Sequence, residues 1–113
     1  MVRELADLSD ELRERFREIA VPEPLGVATG LQRLHDERRL EVPSTVICCE
    51  NTVAEVREFI EAGHPYIAEL ARLRTCELVD LPTGHWPQFT KPAELAQAIL
   101  AAVSGAAPRS SWQ

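Results

Sequence analysis

Apolar residues near the start of the chain recur at steps of three and four: Leu5, Leu8, Leu12, Phe16 and Ile19. That period lays one apolar stripe along a helix and leaves acids and arginines on its other side. Ser9 or Asp7 can cap the helix start, because a short oxygen-bearing side chain accepts from the unpaired amides of the first turn. Pro22 and Pro24 end it, since proline lacks a donor and biases the residue before it toward extended backbone. The following LGVATGLQRLHDERRL holds Gly26, Gly30 and a charged cluster. It reads as a connection with one helical turn around residues 31–34.

The pattern then changes period. In VPSTVICCE, Thr45, Val46, Ile47, Cys48 and Cys49 run together without alternation, as a strand covered on both faces does. TVAEVREFIEAG returns to helical spacing through Val53, Val56 and Ile60. Thr52 and Glu55 have the spacing of a capping box, and Gly63 supplies a stop. YIAELARLR places Ile67, Leu70, Ala71 and Arg74 on a second helix, and CELVDL is a second short strand. A last helix is expected from a cap at Thr90, with Pro92 in its first turn and a stripe of Leu95, Ala96, Ile99, Leu100 and Val103. Strand, helices, strand, loop and helix in that order predict an α/β fold with two parallel strands joined by crossover helices.

Size and charge narrow the function classes. The chain of 113 residues is too short for two independent cores, and 45% hydrophobic with 27% charged residues suits a packed globular domain. With 12 Lys+Arg against 18 Asp+Glu the formal charge is -6, which argues against nucleic acid and against an anionic membrane surface as partners. The first residues lack a signal-peptide core and no apolar run is long enough to span a bilayer, so a cytoplasmic location is expected. An odd cysteine count, with Cys48 and Cys49 adjacent inside a strand, is no disulfide framework; reduced thiols filling the core are expected. No Cys-x-x-Cys or His-x-x-x-His spacing joins the cysteines to His35, His64 or His85, so neither metal nor cofactor is expected.

The candidate chemistry lies in LPTGHWPQFTKP, residues 81–92. His85 sits on the loop leaving the carboxyl end of the second strand, where open α/β sheets place their ligands, and Gly84 permits a sharp turn before it. VDLPTGHWPQFTKPAELAQAIL resembles the last strand, histidine loop and last helix of α/β-hydrolases. VPSTVICCE resembles the strand of that family after which the catalytic acid follows. The resemblance covers residues 42–103, residues 1–41 resemble the cap-like end of a cap region, and residues 104–113 read as a flexible tail.

The resemblance implies that His85 is the general base of a Ser-His-acid triad and that Glu50, the one ionisable residue of Glu50, Asn51 and Thr52, is the acid. Glu50 also fits a solvated charge at a strand end, Glu55 a capping partner, and Asp36 a surface charge or a triad acid from an earlier loop. Missing is the Gly-x-Ser-x-Gly elbow that lifts a nucleophile above the sheet: the glycine spacing of GVATG has Ala28 at its centre. Neither Ser44 nor Ser9 nor the strand cysteines Cys48 and Cys49 occupy an elbow, and Cys76 opens a strand.

Two function classes follow. The chain is the C-terminal portion of a serine hydrolase acting on a small ester or acyl substrate, inactive alone and completed by an N-terminal half. Alternatively it is a non-catalytic interaction module retaining the β-α-β scaffold, a reading motivated by the absent nucleophile and the acidic first helix. Two strands alone are marginal in water, so either reading expects a partner: a complementing half, or a second copy pairing edge to edge.

Overall fold

The computed structural model describes residues 5–105. Its centre is a two-stranded parallel sheet of β1 (Ser44–Cys48) and β2 (Cys76–Asp80), with Ser44 opposite Cys76 and Cys48 opposite Asp80. Between the strands run α3 (Val53–Glu61), a 3-10 turn (Pro65–Ile67) and α4 (Ala68–Arg72); the earlier helices are α1 (Asp10–Ile19) and α2 (Leu25–Thr29). After β2 come α5 (Pro87–Thr90) and α6 (Pro92–Ser104). The class is mixed α/β, built on a parallel pair.

Local chemistry explains the boundaries. Ser9 caps α1, its hydroxyl oxygen accepting from the Leu12 amide at 3.2 Å, while Asp7 is engaged elsewhere. At α3 the Thr52 hydroxyl oxygen accepts from the Glu55 amide at 3.1 Å and donates to the Glu55 carboxylate at 3.3 Å. That helix ends where Gly63 adopts φ 68, with the Gly63 amide on Ile60 O and the His64 amide on Phe59 O. The two bonds are the paired closure that a left-handed residue makes possible.

One face of the sheet carries the core. Cys48, Val56, Cys76 and Leu78 are buried together, with Val46, Val53, Ile60, Leu70 and Leu73 packed against them. Cys76 is the most enclosed, at 1% exposure. The opposite face, with Thr45, Ile47, Glu77 and Val79, is only half-buried, so the expected strand covered on both sides is covered on one. Two strands about 5 Å apart cannot shield a helix about 10 Å across. Consistent with that limit, α6 turns Leu95, Ala98, Ala101 and Ala102 partly inward and leaves Ile99, Leu100 and Val103 in solvent, in place of the expected inward stripe.

The amino ends of both strands are tied together. Arg39, in the 3-10 turn Glu37–Glu41 before β1, pairs with Glu69 of α4 at 2.9 Å, and Arg72 pairs with Glu37 and Glu69 at 2.7 Å each. The Arg74 amide donates to Leu40 O at 2.9 Å beside them.

Two expectations need correction. No helical turn forms around residues 31–34: helix α2 ends at Gly30 and the next turn starts from Asp36, whose carboxylate accepts from the Arg38 amide. Leu31, 89% exposed, has nothing to pack on there. Thr90 does not cap the last helix; it closes α5 with its hydroxyl toward Trp86 O, and Lys91 stands at the start of α6 without a side-chain cap. Of the tail assigned to residues 104–113, Ser104 and Gly105 close α6, Gly105 at φ 71, and the remainder lies outside the described residues.

Candidate functional site

Both loops that leave the carboxyl ends of the strands converge. Pairing continues past β2: the Leu81 amide donates to Cys48 O at 2.9 Å and the Thr83 amide to Cys49 O at 3.4 Å. These two bonds draw residues 81–83 alongside the end of β1 and bring the next side chains to Glu50. There His85 Nδ1 meets Glu50 Oε1 in direct hydrogen-bond contact. Against an ionised carboxylate, which only accepts, Nδ1 is the donor of this contact, and that tautomer of a neutral ring leaves the Nε2 lone pair for another partner. The imidazole is 45% exposed and the Glu50 side chain 29% exposed. An open imidazole paired with a less exposed carboxylate is a geometry in which a ring nitrogen can exchange a proton.

The glycine beside the histidine has a different role from the one its sequence position suggests. Gly63 and Gly105 are the glycines at positive φ, so Gly84 does not serve a left-handed turn. Its amide donates to Asp7 Oδ2 at 2.6 Å, and a Cβ placed on Gly84 would overlap that carboxylate. Close approach, not backbone conformation, requires glycine here. On the other side of His85, Trp86 lies between the imidazole, with ring centroids 4.9 Å apart, and Phe16 of α1, at 5.1 Å. Phe89 adds an edge contact to Phe16 at 6.0 Å.

The β1–α3 loop is held separately. Asp80, the last residue of β2, accepts from the Val53 amide at 2.8 Å, and Thr52 accepts from the Glu55 amide. Two of the first three amides of α3 are thereby engaged, which leaves the helix start poorly supplied with donors for an oxyanion.

A cleft of about 570 Å³ opens at this rim, lined by Asp7, Cys49, Glu50, Thr52, Thr83 and Lys91 among others. Glu50 belongs to both features, lining the cleft and holding His85. The hydroxyls nearby are committed: Thr83 donates to Gly84 O at 2.9 Å and Thr52 to Glu55. Ser9 caps α1, Ser44 donates to Val42 O at 3.0 Å and Ser104 to Ala101 O at 3.2 Å, so no described serine addresses the imidazole.

The remaining sequence candidates fall elsewhere. Asp36 caps the 3-10 turn and grips Arg38 in a two-pronged ion pair, and the Arg38 guanidinium holds its carboxyl below the usual carboxylate range. Glu55 is the capping partner. His64 accepts from the Tyr66 amide at 3.1 Å through Nδ1, and His35 lies in the exposed connection. Burial pushes the Cys48 thiol up and the Cys76 thiol up to about 11, away from the thiolate a nucleophile needs. Among the described residues no three metal-ligating side chains cluster, and no helix is long and apolar enough to cross a membrane.

Sequence reading missed Asp7, Phe16 and Asp80 as parts of this rim. Each acts across tens of residues, and only the Gly84-His85-Trp86 composition hinted that something approaches the loop closely. No protein-family model matches the chain, and neither a curated protein nor a solved structure matches it significantly.

Proposed function

We propose that His85 and Glu50 are the base and orienting acid of an α/β-fold serine hydrolase site, carried by a C-terminal portion of that fold, which acts on a small ester or acyl substrate. The observation that supports the reading is the Nδ1 contact with Glu50 at the carboxyl rim of a parallel strand pair. In this reading His85 Nε2 takes the proton of a serine hydroxyl and returns it to the leaving group, while Glu50 fixes the tautomer and stabilises the imidazolium. The serine and its oxyanion donors come from a polypeptide segment outside these 113 residues, which contain no Gly-x-Ser-x-Gly elbow.

The test is hydrolysis of a p-nitrophenyl ester by this chain together with the product of the adjoining reading frame. The expected result is turnover that falls by about four orders of magnitude or more in His85→Ala. Turnover indifferent to His85→Ala, or an adjoining frame without a serine elbow, contradicts the reading.

A second reading, a non-catalytic interaction module, draws support from a different observation. Ile99, Leu100 and Val103 of α6 and Leu25 and Val27 of α2 stand exposed, apolar side chains that a partner surface would cover. Loss of partner binding on Leu100→Glu with no His85-dependent chemistry in any assembly favours that module.

A further inference from the structure

The α1 region grips the histidine loop immediately before and immediately after His85. Asp7 accepts from the Gly84 amide at 2.6 Å, and Phe16 packs on Trp86 at 5.1 Å. These attachments come from one short stretch, itself anchored by Leu8 at 5% exposure and shaped by the Ser9 cap. A loop pinned at both neighbours of a residue gives that residue little freedom to swing, and placement of a catalytic group to within about 0.5 Å depends on supports of this kind. Asp7 is also a charge held near an exposed amide where a neutral cap would have sufficed, and Gly84 leaves the space it occupies.

We propose that Asp7 and Phe16 are positioning residues, a two-point clamp from the α1 region that sets the orientation of the His85 ring against Glu50. The functional meaning of that orientation rests on the reading of His85 as a general base; the clamp itself does not.

The physical argument makes the two points unequal. The Asp7 bond is charge-assisted and directional, so its loss frees the Gly84 amide directly. The Phe16 contact is an aromatic packing that limits where Trp86 can lie, and through Trp86 where the imidazole can lie. Asp7→Asn keeps a carbonyl oxygen in place and should restore most of the restraint, whereas Asp7→Ala cannot. A methyl on Gly84 displaces the Asp7 carboxylate, whose atoms are the nearest to it. Gly84→Ala and Asp7→Ala should therefore be less than additive.

The experiment is NMR on the intact chain: amide hydrogen exchange at Gly84, and the nuclear Overhauser contact between the His85 ring and the Glu50 side chain. Asp7→Ala is expected to speed Gly84 exchange about tenfold, the scale of one lost hydrogen bond, and to weaken the ring contact while the melting temperature moves little. Asp7→Asn should stay within about threefold of the parent. Phe16→Ala should weaken the ring contact with a smaller effect on Gly84 exchange. Glu23→Gln, which removes an equal charge from the exposed connection, should change neither. Unchanged Gly84 exchange and an unchanged ring contact in Asp7→Ala overturn the clamp, as does equal loss in Asp7→Asn and Asp7→Ala. If the clamp behaves as expected but ester turnover ignores His85, the hydrolase reading fails and the clamp stands.

Discussion

Two loops leave the same end of the same sheet and are held by opposite means. The loop from β1 to α3 is fixed from within its own neighbourhood, by the Thr52–Glu55 cap and by Asp80 of the adjoining strand accepting from the Val53 amide. The loop from β2 to α5 has no such internal cap: Trp86 and Lys91, the residues preceding α5 and α6, make no capping side-chain bond. Past the Leu81 and Thr83 bonds to the end of β1, its restraint comes from Asp7 and Phe16, far away in the chain. The loop that bears the acid is self-supporting, and the loop that bears the imidazole depends on the α1 region. Both loops are restrained, one by its own cap and the adjoining strand, the other by contacts from the start of the chain.

The largest effect should follow from removing the floor that both loops share. Leu78→Ala deletes a buried side chain at the centre of the core cluster and is expected to cost about 2–4 kcal/mol in urea unfolding, lowering the midpoint without altering which loop frays first. A cost below about 1 kcal/mol means that the sheet is not the common foundation.

Alkaline unfolding comes next. The folded state holds the Cys76 thiol protonated up to about 11 and raises Cys48 as well, chiefly through burial, whereas an unfolded cysteine ionises near ~8.5. Between those values the unfolded chain releases a proton that the folded chain keeps, so stability is complete below the unfolded value and declines as pH rises toward the folded one. The decline is on the order of 3 kcal/mol, and Cys76→Ala or Cys76→Ser should flatten the curve of melting temperature against pH above about 9.

The two loops themselves separate in a third comparison. Phe16→Ala should cost about 1–2 kcal/mol and disturb the environment of Trp86, read by its fluorescence, while leaving α3 intact. Thr52→Ala should cost about 1 kcal/mol, fray the first turn of α3 and leave Trp86 fluorescence alone. If each variant disturbs both loops equally, the distinction between self-supporting and externally clamped loops collapses.

The smallest effect belongs to the charged clasp at the far end of the strands. Arg39 and then Arg72 hold Glu69 below the usual carboxylate range, and Arg38 does the same for Asp36. Both carboxyls are fully exposed and their pairs are screened. Whatever they contribute is present above the ordinary carboxylate range and disappears as pH falls through the lowered values. Salt at neutral pH should mimic acid here and leave the His85–Glu50 region unchanged, as amide exchange along β1 and β2 can report.

The same contrast accounts for what was legible in the sequence. The β1–α3 loop could be read because its devices lie within a few residues: a threonine three before a glutamate, a helical stripe, a glycine at the stop. The first strand declared itself by an unbroken β-branched and apolar run, the second only as the short segment CELVDL, and their parallel pairing followed from the intervening helices. The histidine loop could be located but not explained. Gly84 reads as a turn residue, yet its amide and its missing side chain answer to Asp7, which local spacing presents only as an alternative helix cap. The turn expected at residues 31–34 and the cap expected at Thr90 failed because leucines and a threonine satisfy local patterns without tertiary contacts to enforce them. Glu50 was named beside His85 only through the resemblance to α/β-hydrolases, with a solvated strand-end charge as the alternative; the clamp from Asp7 and Phe16 had no signal of its own.

The most direct measurement is the tautomer of the His85 ring by nitrogen-15 NMR at mildly alkaline pH, in the parent chain and in Glu50→Ala. The account predicts a proton fixed on Nδ1 with a strongly deshielded ring resonance in the parent, and a ring that averages between tautomers once Glu50 is removed. An Nε2-protonated ring in the parent, or a ring whose spectrum is the same with and without the Glu50 carboxylate, contradicts it.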